Sequence, residues 1–285
     1  MPGGLSTVVS RRRLCAAIKK AREERGLTQQ DVVNTMEWSL SKVIRVESGT
    51  VGISTTDLRA LLTYYAVTDA NVVSELMELA RAGRRRPWWR EYRDHMPTPT
   101  LGTLIDLEVV ASHLKIFNPN ILPGLFQTEA YATAVMQNML PAPTPEQLDA
   151  RIKIRMRRQV EVLRRETPPT IVAVLDEAVI RRSTGDARTT REQLDHLLDI
   201  ASLPNVTINV VPFTAGIFQL SGPFFILSFP SDPDTVYVES SMNENLIEGN
   251  DKSQDYRAAF DAIRRKALTP EDSSTLIKRA AVELR

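Results

Sequence analysis

Apolar positions along this chain follow two different periods. Between residues 11 and 82 they return every three or four places, and nothing alternates. Leu14, Ile18 and Ala21 form one helical stripe, closed by Gly26 as a C-cap. Thr28-Gln-Gln-Asp31 is a capping-box pattern that opens a second helix through Met36. Ser39 caps a third, which Gly49 ends. Ser54-Thr-Thr-Asp57, another capping-box pattern, starts a fourth helix with Leu58, Leu61, Leu62 and Tyr65 inward, and a fifth runs from about Thr68 to Arg81 on Val72, Leu76 and Leu79. Helical spacing resumes further on, over Leu104–Ile116 and again over Gln127–Met139. Thr144-Pro145-Glu-Gln147 then opens a long helix with Leu148, Ile152, Met156 and Leu163 on one side. After residue 169 the runs shorten and become β-branched or aromatic: TIVAVL (170–175), VTINVV (206–211), FFILSF (224–229) and Val236–Val238, bounded by Pro, Gly, Asn and Asp as strands are. A helix from about Thr190 to Ala201, opened by Thr189-Thr-Arg-Glu192, separates the first two strands, and two more close the chain, Asp251–Ala267 and one capped by Thr269.

The pattern predicts two domains: an all-α five-helix module over 1–83 and an α+β domain over 100–285 with a small sheet of about four strands. Residues 84–99 join them. Gly83 and Pro87 stop the fifth helix, and Arg84–Arg86 stand ready for a phosphate backbone or for solvent. Trp88, Trp89 and Tyr92 are too apolar for a free tether and are read as docking contacts.

Charge sharpens this division. Residues 1–95 carry 16 Lys/Arg against 11 Asp/Glu, and the remainder 20 against 24, so a basic head sits on a mildly acidic body. That distribution suits a nucleic-acid-binding head. No run of apolar residues is long enough to span a membrane, and the amino-terminal order of apolar and basic residues is wrong for a secretory signal. With Cys15 as the one cysteine, a cytoplasmic location is expected. His95, His113 and His196 are scattered, so no metal cluster and no cofactor is expected. Asp176-Glu177 follows a strand, but adjacent side chains diverge. No phosphate loop, HExxH or nucleophile triad pattern exists, and the chain is not expected to be an enzyme. The cations of the long helix and its end, from Arg151 to Arg165, are read as a solvated face paired with Glu161 and Glu166, a second anion-binding surface being the alternative.

The candidate chemistry concentrates in residues 27–49, LTQQDVVNTMEWSLSKVIRVESG. Val32, Met36, Val43 and Val46 form the apolar set that two short crossed helices share. Leu40, Ser41, Lys42, Ile44 and Arg45 fall between those positions and face outward, as on a helix whose amino-terminal part enters a major groove. The segment resembles the Xre, or phage-repressor, helix-turn-helix family in Leu27-Thr28-Gln29, Val32-Val33, Ser39, Val43, Val46-Glu47 and Gly49. The resemblance implies double-stranded DNA as partner, with Gln29, Ser39, Leu40, Ser41, Lys42 and Arg45 as the binding set. Within it, Gln29 and Lys42 go to phosphate, Leu40, Ser41 and Arg45 to base edges, and Arg45 pairs bidentately with guanine. It also turns Glu47 inward to pair with Arg22. Three positions depart from the pattern: Val33 stands for a small residue, Ile44 for a polar one, and Glu37 for the turn glycine, which asks either for a left-handed conformation at Glu37 or for a different turn. The loop Thr50–Ile53 also lacks basic residues.

Pro123-Gly-Leu-Phe-Gln-Thr128 is similar to a PGLLQT-like signature. Trp88-Trp89, Leu107-Glu108, Arg151, Leu175-Asp-Glu177, Val211-Pro-Phe213 and Tyr237-Val-Glu239 match the same pattern. Together they resemble actinobacterial regulators that join an Xre-type head to an uncharacterised carboxy-terminal domain, some of them WhiJ-like or antitoxin-like. That resemblance implies a transcription regulator whose body binds a small partner protein, with a small-molecule effector as the competing idea. A homodimer is expected on separate grounds, because one short recognition helix reads too few base pairs.

Overall fold

The computed structural model describes residues 6–216, 222–230, 232–239 and 244–284. Residues 1–5, the start of the amino-terminal run whose order is wrong for a secretory signal, lie outside them. The chain forms two compact units, Met1–Arg90 and Glu91–Arg285, so the division falls inside the 84–99 stretch, where Trp88–His95 forms a 3-10 helix.

The first unit is built from α1 (Thr7–Glu24), α2 (Gln29–Met36), α3 (Leu40–Glu47), α4 (Thr55–Tyr64) and α5 (Ala70–Ala82). None of α2 to α4 is long enough to persist alone, so each is held by its cap and by one shared core. Leu14 and Ile18 of α1, Val32 of α2, Val43 and Val46 of α3, and Leu58, Leu61 and Leu62 of α4 are all buried in it. The Thr28 hydroxyl accepts from the Asp31 N–H at 3.2 Å, and Asp31 accepts from the Thr28 N–H at 2.7 Å, closing the expected capping box. Only half of the Ser54 box forms, because the Asp57 carboxylate turns to Lys42 instead. Asp69 caps α5, which leaves Val72 in the first turn and exposed, not inward as its spacing suggests. Arg11 Nε donates to the Gly83 carbonyl at 2.7 Å, tying the end of α5 to α1.

The second unit runs α6 (Pro99–Glu108), β1 (His113–Asn118), α7 (Glu129–Gln137), α8 (Pro145–Leu163), β2 (Thr170–Asp176), α9 (Glu177–Arg181), α10 (Ala187–Ala201), β3 (Val206–Val211), β4 (Phe224–Ser228), β5 (Thr235–Glu239), β6 (Glu244–Glu248), α11 (Asn250–Arg264) and α12 (Pro270–Glu283). Its sheet has the order β3-β2-β1-β4-β5-β6, with β1, β2 and β3 parallel and β4, β5 and β6 antiparallel. Phe117, Val174, Val211, Phe224, Ile226 and Val236 line one face under Phe260 and Ile263 of α11. Leu114, Ile116, Ile171 and Ala173 are also wholly buried. A sheet covered on both faces holds its strands as continuous apolar runs, which is how β2 and β3 read.

The α+β architecture is the expected one, with six strands among the described residues in place of about four. The helix expected over Leu104–Ile116 ends at Glu108, and His113–Asn118 is a central strand. A short apolar run fits either period, and only pairing with β2 on one side and β4 on the other decides it. The second addition, β6, is Glu-Asn-Leu-Ile-Glu, an edge strand without a compositional signal that exists through its ladder with β5. Asp186, not Thr189, caps α10, and the Thr190 hydroxyl folds back to the Thr184 carbonyl at 3.0 Å.

The cations of α8 and its end do not all lie on the solvated face that their spacing predicts. Arg158 is buried and makes a two-pronged pair with Glu108, at 2.5 and 2.6 Å, that staples α8 to α6. Burial works against its charge, and the Glu108 carboxylate more than offsets that, holding the guanidinium above its usual range. Arg165 lies over the end of α6 and donates to the carbonyls of Glu108, Val109 and Ala111. Arg157 keeps the expected surface pair with Glu161, and Lys153 pairs with Asp149 instead.

Candidate nucleic-acid interface

The turn between α2 and α3 is sharp because Glu37 takes the left-handed conformation, φ 54° and ψ 36°, that its replacement of glycine demands. The chain then turns back through Trp38, whose N–H donates to the Val33 carbonyl at 3.2 Å. Ser39 restarts the helix as N-cap, its hydroxyl accepting from the Lys42 N–H at 3.2 Å. With Val43 and Val46 anchored in the core, α3 turns Leu40, Ser41, Ile44 and Arg45 outward. Leu40 and Ile44 are 44% and 45% exposed, large apolar side chains held in solvent by a helix with inward places already filled. The Arg45 side chain lies on this exposed face, its Nε donating to the Ser41 carbonyl one turn back at 3.1 Å.

Beneath this face lies a polar support. Arg22 of α1 meets Glu47 of α3 through Nε–Oε1 at 2.6 Å and Nη2–Oε2 at 3.1 Å, both side chains almost fully enclosed. Its Nη1 donates to the Leu27 carbonyl at 2.8 Å, joining α1, α3 and the start of α2 at one guanidinium. The Glu47 hydrogen bond raises the Arg22 pKa further above its usual value. Gln29 donates its side-chain amide to Glu47 Oε2 at 2.8 Å, so this carboxylate also fixes the residue at the amino terminus of α2. Lys42 is held twice, by Asp57 at 3.2 Å and over the Trp38 ring at 3.8 Å. Neither Trp38 nor Asp57 stands out in the sequence as part of this face, because each acts across a turn or from another helix. Cys15 is enclosed behind it, its thiol donating to the Val46 carbonyl at 3.0 Å, and burial pushes its pKa up.

The second unit shows a different polar construction around Pro123–Thr128. Gln127 is buried, its amide donating to the Leu122 carbonyl at 2.7 Å and its carbonyl oxygen accepting from Arg155. Gln159 of α8 donates to the Gly124 and Gln127 carbonyls at 2.8 and 2.7 Å. Gln193 of α10 donates to the Phe126 carbonyl and accepts from the Thr128 N–H, both at 2.7 Å. Three glutamines therefore satisfy the backbone of one buried turn, and Thr128 then caps α7. The carboxylates after β2 are engaged as well: Asp176 caps α9, and Glu177 accepts from the Phe213 N–H and from Arg181. Among the described residues no group of His, Cys, Asp and Glu is placed to hold a metal ion, and no helix is long and apolar enough to cross a membrane.

Comparison with known families places two matches on the chain. Residues 13–76, containing α2, the turn and α3, match a helix-turn-helix domain. Residues 101–279, most of the second unit, match a domain of unknown function, DUF5753. No curated protein matches the chain.

Proposed function

The chain belongs to the DUF5753 family and carries a helix-turn-helix domain ahead of it, and on that premise we propose a sequence-specific DNA-binding transcription regulator. It acts in the cytoplasm as a homodimer, and its carboxy-terminal domain supplies dimerisation and binds a small partner protein in the antitoxin-like manner the sequence suggests. The observation that carries the DNA-reading half is α3 itself. It is capped by Ser39, anchored by Val43 and Val46, and offers Leu40, Ser41, Ile44 and Arg45 on one exposed face. Such a face has the reach and chemistry of a major-groove reader.

In this reading Arg45 pairs with a guanine edge, while Leu40 and Ile44 meet thymine methyls. Gln29 uses its second amide hydrogen on a phosphate while Glu47 holds the first. Lys42 exchanges Asp57 for a phosphate, an easy exchange because the pair is part-exposed and surface pairs are weak. Selection of binding sites from a random duplex pool tests the proposal. Enrichment of a two-fold symmetric site with half-sites about 34 Å apart supports it. Failure to enrich any sequence over bulk DNA overturns it. Co-expression with the product of the adjacent gene, followed by mobility shifts with and without that product, tests the partner. A small-molecule effector is the second reading, favoured by a cavity in the second unit.

A further inference from the structure

The cavity lies beside α8. Arg151, Arg155 and Arg158, on successive turns of the helix, share its wall with Leu101 of α6, Met136 of α7, Met139 and Ile154. Its volume is about 40 Å³, more than one water molecule needs. The apolar side leads outward, since Met139 is 41% exposed while Ile154 and Met136 are buried.

The three guanidiniums are not equivalent. Arg158 is neutralised by Glu108 and belongs to the fold. Arg155 has as its hydrogen-bond partner the neutral side-chain amide of Gln127, and Arg151 has the His95 carbonyl, Nε to O at 3.0 Å. A guanidinium has five N–H donors, so each keeps donors beyond these bonds. Gly124 brings the turn against the Arg155 head: a Cβ there would lie 3.4 Å from its Nε. Burial, with Arg158 adding to it, pushes the Arg155 pKa down to about 10, and Glu239 offsets only part of this. The guanidinium therefore stays charged at neutral pH in a place that disfavours charge. The fold holds it there through Gln127, on a turn whose backbone Gln159 and Gln193 satisfy. Such a cation is costly unless an anion completes it, and a planar fork suits an oxyanion best.

We propose that this cavity binds the oxyanion head of a small apolar acid, with Arg155 and Arg151 gripping the head and Leu101, Met136 and Met139 covering the body. This gives a chemical class to the effector reading and stands independently of DNA binding, because it is read without DNA.

The test uses the full chain and three probes at matched ionic strength: hexanoate, the neutral isostere hexanamide, and inorganic phosphate as a head without an apolar body. Hexanoate should raise the melting temperature saturably, phosphate less, and hexanamide not at all. Arg155→Gln keeps a donor for Gln127 but sheds the charge. It should leave the unliganded melting temperature unchanged or higher, and weaken hexanoate binding in calorimetry about tenfold or more. Arg151→Gln, one turn earlier on the helix, should weaken it to a smaller degree and decides the matter if Arg155→Gln does not fold. Equal stabilisation by hexanamide overturns the proposal, as does no response to either anion. Lower unliganded stability in Arg155→Gln with unchanged hexanoate affinity would make Arg155 a structural brace and also overturn it.

Discussion

Arg45 and Lys42 sit three residues apart on α3 in different electrostatic settings, and their contributions should separate cleanly. Arg45 carries its charge on the open face, so Arg45→Ala should cost about 1–3 kcal/mol on the preferred site and relax selection at one base pair. Mobility shifts over single-base operator variants measure this, and equal weakening on every sequence would make Arg45 a phosphate contact. Lys42→Ala should instead weaken all sequences alike and lower the salt slope of binding by about 0.9. Arg22 works from beneath. Arg22→Met leaves the Glu47 carboxylate enclosed without its cation, which should cost the amino-terminal unit about 3 kcal/mol in a denaturant melt. Unchanged stability would show that the pair is dispensable. These positions were legible in the sequence because the helical period separates anchored from outward residues. The second partners of Gln29 and Lys42 were not legible, since Glu47 and Asp57 reach them from other helices.

At the scale of elements, the least comfortable joint is the α2–α3 turn. A residue with a Cβ pays about 1–2 kcal/mol in the left-handed region, and glycine returns part of that as lost chain entropy. Glu37→Gly should therefore stabilise the unit by about 0.5–1 kcal/mol, read from its melting midpoint; destabilisation would mean that the Glu37 side chain contributes something its contacts do not reveal. Across α6 and α8, Arg158→Met or Glu108→Leu alone strands one buried charge and should cost about 3–5 kcal/mol, whereas the double substitution should recover most of that loss. A double-mutant cycle in denaturant measures the recovery, and additive losses would rule out direct coupling. The element the sequence misassigned is instructive. His113–Asn118 carries an apolar set compatible with helix or strand, and its place between β2 and β4 decides the matter.

For the whole molecule, two compact units imply divided labour. If the body supplies the dimer, the full chain should protect two half-sites from nuclease. A chain ending at Arg90 should protect only one and bind more weakly. Two protected half-sites from the short chain would move dimerisation to the amino-terminal unit. What the sequence determined alone was whatever depends on neighbours along the chain. Five amino-terminal helices, most of their caps, the outward face of α3, the strain at Glu37 and the α+β class of the body were all set by local period and turn chemistry. The tertiary structure decided what depends on partners distant in sequence. It made strands of β1 and β6 by pairing. It also turned Arg158 from an apparent solvated stripe into the interior and drew Arg155 half under the surface, because the burial of a charge depends on the partner that meets it, here Glu108 and Gln127, and helical spacing cannot show which partner that is.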